Sequence, residues 1–540
     1  MNDGKPDSVV VYDVTLRDGA QQQGINLSVA DKIALLPYLE AMGADYIEGG
    51  WPGAIPRDTE FFEELKKNNP LTAAQLTAFG STRKAGIEAK DDPQLAALIN
   101  SGANVLCLVA KSDIRHVQNA LHTTGDENLA MVRDSVEYLR SHNKEVMIDA
   151  EHFFDGFHAD PDYTASVVAE AFRAGATWVI LCDTNGGNLP DEIEAVTANL
   201  IERLKAEGIA EPRLGIHCHD DAGCAVANTL AAVKAGARQI QGTVNGYGER
   251  TGNANLLTCI ANLQLKTPLS AVTDEQLAGL SAVAYAVGEI TTQLPSKRAP
   301  YVGASAFAHK AGLHASAIRV DPHLYQHIDP ALVGNDMRML VSDMAGRASV
   351  ELKAREFGID LSTDKDVLTR ITQRVKEAEA EGYTYDAADA SFELLAREII
   401  SGKPLKYFEL ESWSTTDRTD TQRSGETFAE AVVKIHAGGR RLIRLGEGVG
   451  PVDALDEALR RALRKVYPML DNFELSDFKV RILDTTHGTN AVTRVMITVS
   501  DDAGDWTTVG VGDDVIEASW EALTQGYIYG LFRNGVQPQL

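Results

Sequence analysis

The chain has 540 residues, enough for several domains with a large core, and its 44% hydrophobic and 24% charged content is ordinary for a globular protein. Asp and Glu (77) outnumber Lys and Arg (51), and the net charge of −26 argues against a nucleic acid or an anionic membrane as partner, since both attract clustered Lys and Arg. The five cysteines lack paired spacing, and neither a signal peptide nor a membrane-spanning apolar run is recognised. We therefore expect a cytoplasmic protein.

Roughly the first 265 residues repeat one unit, in which a short apolar run is followed by an amphipathic helical pattern. Eight such units predict a closed (β/α)8 barrel over residues 1–270. An open doubly wound sheet is the alternative, but eight units without an evident switch point favour closure. The predicted strands are 9–15, 45–50, 75–80, 104–110, 145–151, 177–183, 213–219 and 239–245. Four predicted helices end at a glycine suited to a left-handed cap, namely Gly43, Gly102, Gly175 and Gly236.

The pattern changes after Thr267. Residues 271–403 predict helical linker or lid subdomains, including two helices that start at a cap on Ser362 or Thr363 and end at Gly402. Residues 404–540 alternate strands and helices without regular pairing, which predicts a C-terminal α+β domain. Its predicted strands are 407–415, 431–438, 478–486, 491–500 and 506–512.

Polar and ionisable residues are concentrated at the predicted carboxyl ends of the barrel strands. This end of a (β/α)8 barrel carries the catalytic groups. The residues are Arg17, Asp18 and Gln21 after strand 1, Glu151 and His152 at strand 5, Asp183 and Thr184 after strand 6, His217, His219 and Asp220 at strand 7, and Glu249 and Asn253 after strand 8. The loops at the other end of the predicted barrel, such as EAMGAD and FRAGAT, are short and show no such concentration of functional groups.

The stretch from Ile216 to Asp221 reads IHCHDD, and it places His217 and His219 on the same face of a strand. An isolated pair of this kind is more often a hydrogen-bonded structural pair. Its position at the barrel rim favours a metal site instead, because Asp18 on strand 1 adjoins strand 8 once the barrel closes. With Asn253 as a fourth candidate, this mixed nitrogen and oxygen set suits Mn, Mg, Zn or Co.

Three further rim residues have two interpretations each. Arg17 could face a substrate carboxylate or an enolate oxygen, or form a salt bridge with Glu151 or Asp183. Glu151 could transfer protons or pair with Arg17. Thr184 could donate a hydrogen bond to a substrate carboxylate or cap the next helix.

Three motifs in chain order, YDVTLRDGAQQQG, HCHDDAG and NGYGERTGNANL, resemble those of the metal-dependent 2-isopropylmalate, citramalate and homocitrate synthase family. AFAHKAGLHASAI is similar to a segment that these synthases place over the active site of the partner subunit. GEGVGPVDALDEALRRAL and GVGDDVIEASWEAL resemble the C-terminal allosteric domain of the family, so the resemblance covers nearly the whole chain. The hydroxymethylglutaryl-CoA lyases share the barrel but lack that tail.

The resemblance implies roles for the rim residues. It implies a metal set of Asp18, His217, His219 and Asn253, a substrate-binding set of Arg17, Gln21 and Thr184, and a catalytic set of Arg17, Glu151 and His314. It further implies a homodimer in which His314 acts across subunits, and a C-terminal domain at 404–540 that binds an effector, expected to be isoleucine.

Within this family, GAQQQG and Trp51-Pro52-Gly53 are most similar to the longer citramalate synthases, which condense acetyl-CoA with pyruvate. A 2-isopropylmalate synthase, which takes 2-oxoisovalerate, is the alternative, because one sequence does not give the volume of the keto-acid pocket. A metal-binding regulatory protein without turnover is disfavoured by the Arg, Glu and Thr beside the ligands. A lyase running in reverse is disfavoured by the C-terminal domain.

Overall fold

The computed structural model describes residues 8–342, 346–419, 427–483 and 491–540. The first seven residues of the predicted barrel domain and the last three of the predicted strand 478–486 lie outside these ranges. The chain divides into two units, Met1–Phe307 with Ile328–Asp336, and Ala308–His327 with Met337–Leu540. The predicted domain bounds at 270 and 403 stay predictions.

A closed barrel of eight parallel strands forms the first unit, as the repeat predicted. The first strand pairs with both the second and the eighth, and Tyr12 lies opposite Tyr46 on one side and Gln241 on the other. This pairing excludes the open sheet. The strands are β1 Val10–Asp13, β2 Tyr46–Gly50, β3 Gln75–Ser81, β4 Val105–Lys111, β5 Glu145–Glu151, β6 Trp178–Asp183, β7 Leu214–Cys218 and β8 Gln239–Gly242.

Helices surround the barrel, and each of the four predicted cap glycines has a positive φ, from 87° at Gly102 to 129° at Gly236. Only a residue without a Cβ adopts this conformation without strain, which is why the helices end there. The helices are α1 Val29–Ala41, α2 Pro56–Lys67, α3 Pro93–Asn100, α4 Ile114–Asn119, α5 Gly125–Ser141, α6 Phe153–Ala159, α7 Pro161–Arg173, α8 Pro190–Ala206, α9 Ala225–Ala235, α10 Leu256–Lys266, α11 Asp274–Ala278 and α12 Leu280–Thr291.

The barrel has two apolar layers. The larger lies between strands and helices, where alternate strand residues meet the apolar helix faces. The smaller fills the inside of the barrel and includes Tyr12, Phe79, Cys107, Met147 and Trp178. Buried polar side chains share that interior, among them Glu48, Asp149, Gln239 and Gln241.

The second unit contains the predicted helical and α+β parts. The first predicted helix begins after Asp364, whose side chain accepts a hydrogen bond from the Val367 amide, and not at Ser362 or Thr363. Gly402 ends the second helix as predicted, with a φ of 73°. The elements are β9 Ala308–His309, α13 Gly312–Ile318, β10 Arg338–Met339, α14 Arg347–Glu356, α15 Lys365–Ala380 and α16 Asp389–Ser401.

The C-terminal part consists of two three-stranded antiparallel sheets, each followed by a helix that packs on one face. Five of the six strands match predicted ones, and the strand at Arg440–Gly448 was not predicted. The elements are β11 Glu409–Thr419, β12 Thr427–Ala437, β13 Arg440–Gly448, α17 Pro451–Leu463, β14 Glu474–Ile482, β15 Thr493–Asp501, β16 Gly504–Gly512 and α18 Val515–Arg533.

All five cysteines lie in the barrel unit and are free thiols, and four of them are buried. Burial raises the pKa of Cys259 to about 12 and that of Cys107 well above its usual value. Among the described residues, no helix is both long and apolar enough to cross a membrane.

Candidate metal centre

Asp18, His217 and His219 form a buried cluster at the carboxyl ends of β1 and β7. One ligand atom from each lies within 4.8 Å of the other two. His217 Nε2 is 3.9 Å from Asp18 Oδ2, and the two imidazole centroids are 5.2 Å apart. Closure of the barrel thus brings together residues about 200 positions apart in sequence, as the strand count predicted.

The protonation states of this cluster suit a cation. Burial would raise the pKa of Asp18, but Arg17 and the two histidines outweigh burial and hold that pKa below its usual range. Burial, reinforced by His217, lowers the pKa of His219 to about 4. At neutral pH, Asp18 is therefore ionised and His219 is neutral, and these are the forms that bind a metal.

Asn253 adjoins the cluster through a β-bridge with His219. Its Nδ2 donates to Asp18 Oδ1 at 3.0 Å and to the Tyr247 carbonyl at 2.9 Å. Its Oδ1 is buried without a hydrogen-bond partner among the described residues, and so is Nδ1 of His219. A buried acceptor without a partner is costly, so these atoms fit a bound divalent cation better than an apolar surrounding.

The Arg17 side chain is fixed at the rim by two carboxylates. Its Nε donates to Glu48 Oε1 at 2.5 Å, and its Nη1 donates to Asp18 Oδ2 at 2.8 Å. The guanidinium carbon lies 3.9 Å from the centre of the Phe79 ring, and Tyr12 donates to the second oxygen of Glu48 at 2.6 Å. The suggested salt bridge of Arg17 with Glu151 or Asp183 is wrong, because Glu48 and Asp18 hold the guanidinium.

Glu151, the last residue of β5, forms an ion pair with Lys111, the last residue of β4 and its register partner. Arg17 is therefore not its partner. The following residue, His152, adopts a left-handed conformation with a φ of 57°, and its ring stacks on His116 with centroids 4.0 Å apart. The Glu151 side chain is a quarter exposed, so it remains accessible at the rim.

Thr184 links the ends of β5 and β6, since its hydroxyl oxygen accepts a hydrogen bond from the His152 amide at 2.8 Å. It does not cap the next helix, because α8 begins at Pro190. Among the described residues, no hydrogen bond donated by this hydroxyl is found, so its hydrogen is available to another acceptor. Gln21 is exposed, whereas its neighbour Gln22 accepts from the Gly248 amide at 3.3 Å.

The two aspartates after His219 hold loops. Asp220 accepts a hydrogen bond from the Ala225 amide at the start of α9. Asp221 forms a bidentate pair with Arg250, with nitrogen–oxygen distances of 2.8 and 2.9 Å. The Asp221–Arg250 pair joins the loops that follow β7 and β8, on which His219 and Asn253 lie.

His314 belongs to the second unit, where it lies on α13. Its ring stacks on Tyr325 with centroids 4.1 Å apart and lies 6.1 Å from the His309 ring. The three aromatic rings form one cluster within that unit.

Sequence reasoning missed four polar residues that contact the candidate site residues directly or through a neighbouring side chain. A polar residue within an apolar strand was the available signal, but it does not reveal which strand supplies the partner. These residues are Glu48 and Lys111, which hold Arg17 and Glu151, and Asp149 and Gln241, which lie beneath His217.

Known families match most of the chain. The HMGL-like family matches residues 8–284, the homocitrate synthase post-HMGL domain-like family matches 301–382, and the LeuA allosteric (dimerisation) domain matches 386–531. The (R)-citramalate synthase of Streptomyces coelicolor is 57% identical over 98% of both chains. The chain belongs to the 2-isopropylmalate and homocitrate synthase family.

Other members of this family differ in their similarity to the chain. The (R)-citramalate synthase of Synechocystis is 45% identical over 98% of this chain and 97% of its own. The probable 2-isopropylmalate synthase of Methanopyrus kandleri is 31% identical over 96% and 98%. Among solved structures, an HMG-CoA lyase from Bacillus subtilis is 21% identical and covers 54% of this chain and 97% of its own, with a TM-score of 0.46.

Proposed function

We propose that the protein is an (R)-citramalate synthase, an acyltransferase that condenses acetyl-CoA with pyruvate and hydrolyses the thioester to release CoA. Five (R)-citramalate synthases are 42–57% identical to nearly the full chain, whereas the probable 2-isopropylmalate synthase is 31% identical. The observation that carries the chemistry is the buried cluster of Asp18, His217 and His219 with Arg17 fixed beside it.

Asp18, His217, His219 and the orphaned Asn253 Oδ1 would hold the divalent ion, which is Mn, Mg, Zn or Co. When bound, such an ion polarises the carbonyl of a 2-oxo acid. The guanidinium of Arg17 is held rigidly and gives a fixed positive charge beside the carbonyl oxygen, where negative charge develops as the new carbon–carbon bond forms.

Glu151 and Thr184, at the ends of β5 and β6, are the further residues that we propose to act on the substrate. Glu151 would accept or return a proton, because its carboxylate is accessible and held in place by Lys111. Thr184 would donate its free hydroxyl hydrogen to the substrate carboxylate, since its oxygen is already oriented by the His152 amide. Gln21 is proposed as a further substrate contact.

The second unit supplies the remaining proposed roles. His314 would act on the active site of a partner subunit in a homodimer, and residues 404–540 would bind isoleucine as a feedback effector. The match of the LeuA allosteric (dimerisation) domain to residues 386–531 supports both dimerisation and regulation. A cytoplasmic location and domain bounds at 270 and 403 complete the proposal.

A free-thiol assay of CoA release tests the function. Purified full-length protein is supplied with acetyl-CoA, a divalent ion and, in turn, pyruvate, 2-oxobutyrate or 2-oxoisovalerate. We expect the highest kcat/KM with pyruvate and a product that co-elutes with (R)-citramalate. A preference for 2-oxoisovalerate would instead assign a 2-isopropylmalate synthase. If no CoA is released with any of the three acids, the protein is not an enzyme of this class.

A further inference from the structure

A continuous line of side chains leads from the metal centre into the barrel. Gln241 on β8 is wholly buried, and its Oε1 lies 2.9 Å from His217 Nδ1. Its Nε2 lies 3.3 Å from Oδ1 of Asp149, a buried carboxylate on β5. Neither Gln241 nor Asp149 belongs to the cluster of ligand atoms, yet both connect to it through His217.

The direction of this line follows from its donors and acceptors. Asp149 Oδ1 also accepts from the Cys107 thiol at 3.3 Å, so this oxygen is an acceptor whether or not the carboxyl is protonated on Oδ2. The amide of Gln241 must therefore turn its NH2 group toward Asp149, because the flipped amide would place two acceptors face to face. Gln239 Oε1 lies 3.5 Å from the same nitrogen, at the limit of a hydrogen bond, so Asp149 is the acceptor that orients the amide.

The amide orientation determines the tautomer of His217. With Gln241 Oε1 facing it, Nδ1 of His217 must carry the hydrogen, so the lone pair of the neutral ring is on Nε2. Nε2 is also the atom that faces Asp18 at 3.9 Å. The hydrogen bond made by one ring nitrogen thus decides which nitrogen is free to bind a metal.

We propose that Gln241 is a positioning residue that fixes the Nδ1–H tautomer of His217 and presents Nε2 to the cation, with Asp149 holding the amide in place. This inference rests on the proposed metal-dependent function. A partner of this kind fixes the orientation of a metal-bound imidazole, and its loss typically lowers metal affinity 10–100-fold.

The strand offers a matched pair of variants. Gln241→Met keeps the length of the side chain but removes both hydrogen-bonding groups. Gln239→Met makes the same change two residues earlier on the same buried face of β8, where the hydrogen bonds of the side chain among the described residues go to Met147 and Gln241 and not to His217. Gln241→Glu keeps an oxygen that accepts from Nδ1–H and is the conservative variant.

Two readouts are taken on full-length, EDTA-treated protein. The first is the dissociation constant of Mn²⁺ or Zn²⁺, measured by competition with a chelating dye, and the second is the tautomer of His217 in ¹⁵N-histidine-labelled protein, assigned with His217→Ala. We expect His217 of the wild type to carry its hydrogen on Nδ1, and Gln241→Glu to keep that tautomer. In Gln241→Met, we expect the metal affinity to fall about 10–100-fold and both His217 tautomers to be present. In Gln239→Met, we expect the metal affinity to stay within about threefold of the wild type.

An Nε2–H signal in the metal-free wild type overturns the inference, and so does wild-type affinity in Gln241→Met or an equal loss in Gln239→Met. If Gln241→Met does not fold, the wild-type spectrum decides the question without a variant. If the wild type releases CoA with pyruvate but His217 carries its hydrogen on Nε2, only this inference is wrong and the proposed function stands. If His217 carries its hydrogen on Nδ1 but the wild type releases no CoA, only the proposed function is wrong.

Discussion

Single buried charges determine the chemistry of the metal centre. The guanidinium of Arg17 touches the carboxylates of both Asp18 and Glu48, so it is held from two sides. Burial raises the pKa of Glu48, and Arg17 opposes that rise. Burial likewise raises the pKa of Asp149 deeper in the barrel, whereas the pKa of Asp18 stays below its usual range, so Asp18 is the carboxylate whose charge a divalent ion would offset.

Removal of a ligand should abolish metal binding. We expect Asp18→Ala and His217→Ala to lose the bound ion and to lower turnover at least 100-fold, because each supplies one of three clustered ligand atoms. His142→Ala, at an exposed histidine on the barrel surface, is the control. Metal content by mass spectrometry and CoA release are measured together, and full activity in either ligand variant would contradict the assignment of the site.

Asp13 on β1 gives the barrel a pH-dependent stability. Burial raises the pKa of this carboxyl from 3.8 to about 7, although Thr15 donates to it. Because the folded pKa lies above the unfolded one, the contribution of Asp13 is present below about pH 4 and is lost as the pH rises through about 7. Asn cannot ionise, so Asp13→Asn removes this loss. We expect the change in the free energy of unfolding caused by Asp13→Asn to be about 2–4 kcal/mol more favourable at pH 7.5 than at pH 4.5.

Urea titrations at both pH values check this effect of Asp13→Asn. Asp126→Asn, at an exposed aspartate in the first turn of α5, serves as the control and should change little between them. An Asp13→Asn effect that is the same at both pH values would show that the carboxyl is already ionised in the folded protein at the lower pH.

At the scale of elements, the barrel was predictable because its strands alternate with amphipathic helices and because glycines end the helices. The strand β13 was not predictable from its apolar pattern, because it has large apolar residues on its exposed face and glycines on the face toward the helix. Ile443 and Leu445 point outward and are 43% and 45% exposed, whereas the face toward α17 carries Gly446 and Gly448. A Cβ on Gly446 would lie 2.3 Å from the Ala454 carbonyl oxygen, so close packing of the helix excludes an apolar side chain there.

The candidate site was predictable only in part. Asp18, His217 and His219 could be placed because each lies at the end of a predicted strand, and closure of the barrel then implies their proximity. The Glu151–Lys111 ion pair depends on the register between β4 and β5, and Arg17 reaches Glu48 of β2 from the loop after β1. The apolar pattern of a single strand specifies neither contact.

The loop after β8 should tolerate no side chain at Gly248. Its φ is 151°, and a Cβ would lie 2.3 Å from Nδ2 of Asn253. We expect Gly248→Ala to displace Asn253 and to weaken metal binding about 10-fold or more. A Cβ on Gly187, in the loop after β6, would have no described atom within 4 Å, so Gly187→Ala is the matched control. Equal metal affinity in both variants, by chelator competition, would show that Asn253 is not a ligand.

At the scale of the whole molecule, the second unit presents apolar strand residues to solvent. Phe478, Val480 and Ile482 of β14 are 39%, 46% and 57% exposed, and the outward residues of β13 are similar. Exposed apolar patches on sheets commonly mark protein interfaces. The outer faces of the two sheets are therefore the surfaces that we expect a second copy of the chain to cover.

Charges placed on these faces should prevent dimerisation. We expect the double variant Ile443→Lys with Val480→Lys to be a monomer at micromolar concentration, because each lysine would lose its hydration in an apolar contact. Val449→Lys, on an 88% exposed residue between β13 and α17, is the control and should remain a dimer. Light scattering coupled to size exclusion gives the mass, and a dimeric double variant would place the interface elsewhere.

Because all five cysteines lie in the barrel unit, the second unit can be labelled selectively through an introduced cysteine. Thiolates are the reactive form of cysteine, and burial keeps Cys107, Cys182, Cys218 and Cys259 protonated and enclosed. Replacing Cys224 alone would leave a molecule with its native thiols shielded. A cysteine then introduced on α13 or on an outer strand could carry a single fluorophore, so that motions of the second unit during turnover would be observed in otherwise native protein.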